Sequence, residues 1–290
     1  MVFPRHNPLM PSIPGLRRTS AAISPTAHYT GQVWTRNGLS HPGLATSEGR
    51  ALFASLQPAM KLSQASGGAT LEGMLMARHR AIDSLLERAI EDGGVSQVIE
   101  VACGMSPRGW RFTELYGDRL TYIEADLPAM AARKQHALEQ IGSISDTHRV
   151  VEVDALAKDG PTSMAQIAAS LDRSRGLAII TEGLLGYLPG PQVLDVWSRF
   201  ASLLGEFENN LYLADLHVGT DVTDARSRAV SVLIGVFVRG RVHIHFADTG
   251  EAEQALLGAG FSDASVRFAG KHIPDAGIGG RRVQVVEASV

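Results

Sequence analysis

The chain has 290 residues, 44% of them hydrophobic and 20% charged, with a net charge of −3. This is the composition of an ordinary soluble globular protein, without the basic surplus that would mark nucleic acid as the main partner. A single cysteine, Cys103, excludes an intramolecular disulfide and a cysteine-built zinc cage, and fits a reducing cytoplasm.

Residues 1–25, rich in Pro, Ser and Arg, read as an arm without regular structure and lack the continuous apolar core of a secretory signal. Residues 26–75 hold short helical stretches broken at Gly31, Pro42, Pro58 and Gly67-Gly68, as a cap or lid in front of a larger domain would. From Arg78 the apolar spacing of Ile82, Leu85, Leu86, Ala89 and Ile90 predicts a helix that stops at Gly93-Gly94. An alternation follows: strand 98–102, helix 108–116, strand 121–125, helix 128–140, strand 149–153, helix 161–171, strand 177–181, helix 191–204 and strand 211–216. Apolar strands alternating with amphipathic helices predict an α/β fold, a parallel sheet covered on both faces. Residues 221–239 read as a mostly apolar helical insertion. A helix near 250–258 and two late strands, 264–268 and 282–287, close the domain. No apolar run approaches the roughly 20 residues that span a bilayer, so the expected location is cytoplasmic and no membrane partner is implied.

In open α/β sheets ligands sit at the carboxyl ends of the strands. Those ends carry Ala102-Cys103-Gly104, Glu124 and Asp126, Asp154-Ala155, Glu182-Gly183, and Asp215 with His217. A rim of acids and glycines repels phosphate cofactors and suits S-adenosylmethionine, which offers a sulfonium, an ammonium, a ribose diol and an adenine amine. Gly104 lets the backbone approach a ligand closely, or serves as a plain turn. Asp126 has the geometry to accept both ribose hydroxyls, and competes with a helix N-cap role ahead of Pro128. Asp154 is placed for an adenine amine, with Ala155 leaving room for the ring, or for a turn. Glu182 needs a partner, the cofactor's ammonium or an arginine. Arg78 and Arg108 are candidates for gripping its carboxylate. Cys103 has no histidine near it in sequence and reads as a small buried filler. His243 and His245, at i and i+2 without a third ligand, do not make a metal site; none is expected.

The motifs together resemble the leucine carboxyl methyltransferase and polyketide O-methyltransferase family of S-adenosylmethionine enzymes. The stretch VIEVACGMSPRGWRF matches that family's Gly-Ala-Gly-x-Asp-Thr-Arg-x-x-Arg loop, here Ala102 to Arg111. The similarity continues through MARHRAIDSLLERAI, YIEADLPAMAARK, VVEVDAL, ITEGLLGYLPGPQV and EAEQALLGAGF. The chain departs from the pattern at Ala102, where the first loop glycine stands, and at Ser106-Pro107, where the Asp-Thr pair stands. The resemblance implies a Rossmann-like, seven-stranded methyltransferase sheet, parallel with an antiparallel late strand. It also implies a helical cap over 1–75, a cofactor domain over 76–290, and an insertion near 218–246 that shapes an acceptor pocket. Carried over by position, it assigns Arg78 to the methionine carboxylate, Asp126 to the ribose, Asp154-Ala155 to the adenine side and Glu182 to the amino end. Ala102, Cys103 and Gly104 form the loop.

The implied reaction is methyl transfer to a carboxylate or hydroxyl of a small metabolite, by in-line displacement that depends on alignment. A carboxylate acceptor needs no base; a hydroxyl does, and His28, Tyr29, Tyr187 and His217 are the candidates. Methylation of a protein C-terminal carboxylate and a non-catalytic nucleoside-binding module are the competing readings. A nicotinamide oxidoreductase is disfavoured by the missing Gly-x-Gly-x-x-Gly loop. Oligomeric state is not legible.

Overall fold

The computed structural model describes residues 25–65, 70–92, 94–219 and 243–290. In chain order these form helices α1 (Pro25–Arg36), α2 (Ser47–Ala65) and α3 (Leu71–Glu91), then β1 (Val95–Val101), α4 (Arg108–Tyr116), β2 (Thr121–Asp126) and α5 (Pro128–Gln140). They continue through β3 (His148–Glu152), α6 (Met164–Ala168), β4 (Gly176–Thr181), α7 (Gly190–Leu204) and β5 (Asn210–Leu216). Helix α8 (Thr249–Ala259) and strands β6 (Asp263–Phe268) and β7 (Gln284–Ser289) complete the described residues. Nearly all of the expected arm, and the whole of the expected helix 221–239, lie outside them.

The seven strands form one sheet in the order β3-β2-β1-β4-β5-β7-β6. Neighbours are parallel from β3 to β5, and β7 runs antiparallel to both β5 and β6. This is the seven-stranded α/β sheet with one reversed late strand that the resemblance implies. Alternate residues of each strand face opposite layers. Ile99, Ile123, Ile179 and Tyr212 pack with Val193, Trp197 and Phe200 of α7 and Leu256 of α8. Val98, Tyr122, Ala178 and Leu213 pack with Ile82, Leu85 and Leu86 of α3 and Phe112 of α4. β4 is buried at all six positions, as expected of a strand covered on both faces.

The cap differs from the expectation of short, broken helices. α1 runs unbroken through Gly31 and α2 through Pro58. Gly31 is tolerated because it lies against Met105, where an added Cβ would come within 3.0 Å of the methionine's own Cβ. Pro58 and Ala54, one helical turn before it, are both exposed, so the carbonyl that loses its backbone donor can be hydrated. Tyr29, Val33 and Trp34 of α1 pack with Phe53 of α2 and with Leu75 and Met76 of α3. The helix expected over 161–171 is confined to Met164–Ala168, with the Ser163 hydroxyl accepting from the Gln166 amide at 3.3 Å as its N-cap.

The first strand ends in a left-handed turn. Ala102 has φ +55° and Gly104 φ +53°. Ala102 is the one non-glycine residue in that region among the described residues, and the conformation costs an L-residue about 1–2 kcal/mol. Ala102→Gly should therefore raise stability by about 1 kcal/mol in reversible thermal or urea unfolding; an unchanged midpoint would show that the turn carries no such strain.

Candidate functional site

Strand parity decides where the rim acids point. Glu100 shares a face with Val98, Glu182 with Ala178 and Ile180, and Asp215 with Leu211 and Leu213. All three carboxylates therefore turn toward α3 and α4, and so does Glu124 beside Tyr122. Arg108 of α4 is fully buried and reaches Asp83 at 2.6 Å, Glu100 at 2.5 Å and Glu182 at 2.6 Å. Arg78 of α3 donates through Nε to Glu182 Oε1 at 3.0 Å and through Nη1 to Asp215 Oδ2 at 2.8 Å. His79 Nδ1 lies 2.8 Å from Glu182 Oε2, and Arg111 pairs with Asp83 at 2.6 Å. The Tyr122 hydroxyl donates to Glu100 at 2.7 Å. Three arginines and one histidine thus face four carboxylates in an almost dry layer.

A second buried group lies under the loop. Glu124 pairs with Lys134 of α5 and with His148 Nε2, the latter at 2.8 Å. The Lys134 ammonium also donates to the Ser106 carbonyl. Gly109 is needed here, because a Cβ on α4 at that position would overlap the Glu124 carboxylate.

Burial pushes the Glu182 carboxyl upward, but His79, Arg108 and Arg78 together outweigh it and hold the group well below the usual carboxylate range. Asp83 is depressed in the same way, burial being overcome by His79, Arg108 and Arg111. Glu124 is depressed because Lys134 and His148 overcome its burial.

The open side of the rim is built differently. Asp126 accepts from the Gly104 amide through Oδ2 and from the Leu127 amide through Oδ1, each at 2.7 Å. Burial leaves its carboxyl raised, against the opposing pull of those amides. A carboxylate offers about four acceptor positions, so two remain for a ligand. Asp154 is exposed and accepts from the Leu156 amide at 2.9 Å, the turn role. Ala155 packs half-buried against the sheet core. Leu127 and Leu156 stand exposed beside the two aspartates. The outer nitrogen of Arg78, Nη2, makes no hydrogen bond among the described residues and faces Gly183, where an added Cβ would lie 3.1 Å from it.

Three expected ligand contacts are placed elsewhere. Arg108 has no exposed surface, because its guanidinium neutralises Asp83, Glu100 and Glu182; it cannot grip a ligand carboxylate. Glu124 is equally enclosed by Lys134 and His148. Glu182 finds arginine and histidine partners, the second of its two expected fates, and both oxygens are engaged. Cys103 is buried, and burial drives its thiol well above the ordinary range, which suits a filler and not a nucleophile.

On the acceptor side, Tyr29 is fully buried and stacked on Phe53 at 5.7 Å, its phenol pushed up to about 12 by burial and by Glu72; it is no base for a ligand. His28 is buried at the α1–α2 joint with Nδ1 3.0 Å from the Thr46 hydroxyl, its pKa lowered by burial. Tyr187 is half-buried and its hydroxyl donates to Thr26 of α1 at 3.1 Å. His217 is half-buried just after β5. His243 and His245 stack on each other 5.8 Å apart, with the His245 Nε2 3.0 Å from the Leu185 carbonyl. Sequence reading missed His79, Asp83, Glu100 and Lys134. For Glu100 the signal was present, an acid inside an apolar strand demanding a buried partner.

The family model for leucine carboxyl methyltransferase matches residues 43–201, more than half of the chain. A provisionally named S-adenosyl-L-methionine-dependent methyltransferase of Mycolicibacterium gilvum is 33% identical over 132 residues, 46% of this chain and 40% of that protein. One of the same provisional name from Streptomyces coelicolor is 36% identical over 115 residues, 40% of this chain and 39% of that protein. The matched stretch thus spans about two-fifths of these relatives. A solved structure from Thermobifida fusca, provisionally named a methyltransferase, superimposes with a TM-score of 0.66 at 14% identity, covering 95% of this chain and 97% of that one. A DUF574-family protein from Streptomyces avermitilis gives 0.63 at 11% identity, covering 91% and 96%. At these identities the structures share the fold.

Because Asp83, Glu124 and Glu182 titrate below their unfolded values of about 4, the unfolded chain takes up protons first as pH falls. Their contribution to stability is present above about pH 4 and is lost as pH drops through the folded values, by up to about 1.4 kcal/mol per pH unit for each group. Melting temperature should fall steeply below about pH 4, and Glu182→Gln should flatten that fall while costing about 3–5 kcal/mol at neutral pH. A pH-independent melting temperature across this window would refute the depressed carboxylates.

Proposed function

We propose that this chain, which belongs to the leucine carboxyl methyltransferase family, is an S-adenosylmethionine-dependent methyltransferase acting on an oxygen of a small metabolite. The observation that carries this reading is the pairing of two open polar sites on either side of β1. On the β2 side is the Asp126 carboxylate held by the Gly104 amide. On the β4 side is the free edge of Arg78 above Gly183. With β1 between β2 and β4 in the sheet, the strands that lead to them lie two spacings, about 10 Å, apart. That span suits one molecule with a ribose diol at one end and an amino-acid carboxylate at the other. The exposed Leu127 and Leu156 supply apolar surface for an adenine ring beyond the ribose. The names of the curated relatives agree with this cofactor.

When bound, S-adenosylmethionine supplies a methyl group already activated by its sulfonium. The chain's task is then to hold donor and acceptor in line. Gly104 allows the close backbone approach, Asp126 receives the ribose hydroxyls and Arg78 the carboxylate. Tyr187 and Thr26 present hydroxyls on the acceptor side. A carboxylate acceptor is ionised at neutral pH and needs only orientation, whereas a hydroxyl acceptor needs a base within hydrogen-bond reach, the role we assign to Tyr187 or His217.

Titration calorimetry with S-adenosylhomocysteine tests the cofactor reading. Binding should appear, and Asp126→Ala should weaken it about 10- to 100-fold through loss of charge-assisted hydrogen bonds; no heat with the wild-type chain would sink the proposal. Labelled-methyl transfer to a metabolite extract, followed by mild base, separates esters from ethers. If the product is an ether, Tyr187→Phe or His217→Ala should lower transfer about 100-fold, whichever removes the base, and both should leave ester formation nearly unchanged.

A further inference from the structure

We infer that Asp215, at the end of β5, is a positioning residue that builds a carboxylate-binding slot out of Arg78 and Gly183. The inference rests on the cofactor reading above. One carboxylate ties the two walls together: Oδ2 accepts from Arg78 Nη1 at 2.8 Å, and Oδ1 accepts from the Gly183 amide at 2.6 Å. Asp215 is 5% exposed, so it touches the walls and not the ligand.

The slot follows from how the guanidinium is divided. Arginine carries five N–H donors in a rigid plane. Glu182 takes the Nε proton and Asp215 takes one on Nη1. The Arg78 side chain keeps 13% of its surface exposed. What is left is one proton on Nη1 and both on Nη2, enough donors for the two oxygens of a carboxylate. Gly183 keeps those donors open. Its φ of +75° disfavours any side chain, and a Cβ there would press on Nη2 at 3.1 Å and Nη1 at 3.5 Å. Without Asp215 the arginine would keep its salt bridge to Glu182 and be free to swing about it, and the Gly183 turn would lose its anchor. Glu182 thus fixes where the arginine is, and Asp215 fixes which edge it shows.

The test compares two ligands that differ at the amino-acid end. S-adenosylhomocysteine has the carboxylate; 5′-methylthioadenosine has the same nucleoside and thioether without it. Asn at position 215 can still accept from the Gly183 amide, but it cannot offer a second carboxylate oxygen to Arg78. Asp215→Asn should weaken S-adenosylhomocysteine at least tenfold in calorimetry and leave 5′-methylthioadenosine within about twofold. Should that variant not fold, Gly183→Ala makes the same separation from the other wall without changing charge, with the same expected pattern. Equal weakening of both ligands would show Asp215 to be merely structural, and unchanged affinity for both would show that it does not set the slot; either outcome overturns the inference. If the wild-type chain binds neither ligand, the cofactor reading itself falls and takes the slot with it.

Discussion

The interaction on which the rest of this fold depends is the meeting of Arg108 with Asp83, Glu100 and Glu182 in a buried layer. Each of those charges alone would cost several kcal/mol to bury. Together they make the cost recoverable only in one arrangement, because each oxygen has a particular donor. The cluster joins α3, α4, β1, β4 and, through Arg78 and Asp215, β5, elements separated by as much as 137 positions in the chain. Nonspecific hydrophobic packing would bring these elements together in several registers. The ion cluster singles out the register in which Arg78 stands at the rim with an edge to spare.

α3 is the element that transmits this order outward. Its apolar stripe packs on the sheet, its first turns carry the cap helices through Leu75 and Met76, and its polar residues Arg78, His79 and Asp83 enter the cluster. Trp34 of the cap lies over His79 with ring centroids 4.7 Å apart. Across the loop, Ala27 lies 3.2 Å from where a Cβ on Gly104 would be. α1 therefore rests on the Ala102–Gly104 loop and the ion cluster at once, and the Lys134 group supports that loop from below through the Ser106 carbonyl.

Much of this was readable from residues. Fully apolar strands alternating with helices announced a covered parallel sheet, and the turn after Val101 marked its mouth. The acids at the strand ends were correctly placed along the sheet but were assigned outward as ligand contacts. Period-two parity shows why that assignment fails for Glu124 and why Glu182 meets the arginine of its two expected partners: each follows its strand's α3- and α4-facing residues and points into the layer. Their partners come from helices whose facing cannot be deduced without tertiary packing, so Arg108 looked like a ligand donor when it is a counter-ion. Asp126 closes β2 and turns instead to the Gly104 amide, so its carboxylate does not enter the layer. The helix-breaking signals at Gly31 and Pro58 were overridden by a close contact with Met105 and by solvent around an exposed face. Neither is visible in local sequence.

The reversed strand has a consequence for the growing polypeptide. β6 is made before β7, yet its place in the sheet is beyond β7, and among the described residues β7 is its sole strand partner. Until β7 emerges from the ribosome, β5 presents an open edge with Leu211, Leu213 and Asp215 already in place, and β6 has nothing to pair with. Arg78 and the parallel half can assemble early from β1 to β5, whereas the last third of the sheet must wait for one late strand to slot between two finished elements. Chaperone dependence and aggregation during synthesis should concentrate in that interval, after the site's residues have been made and before the sheet that holds Asp215 is closed.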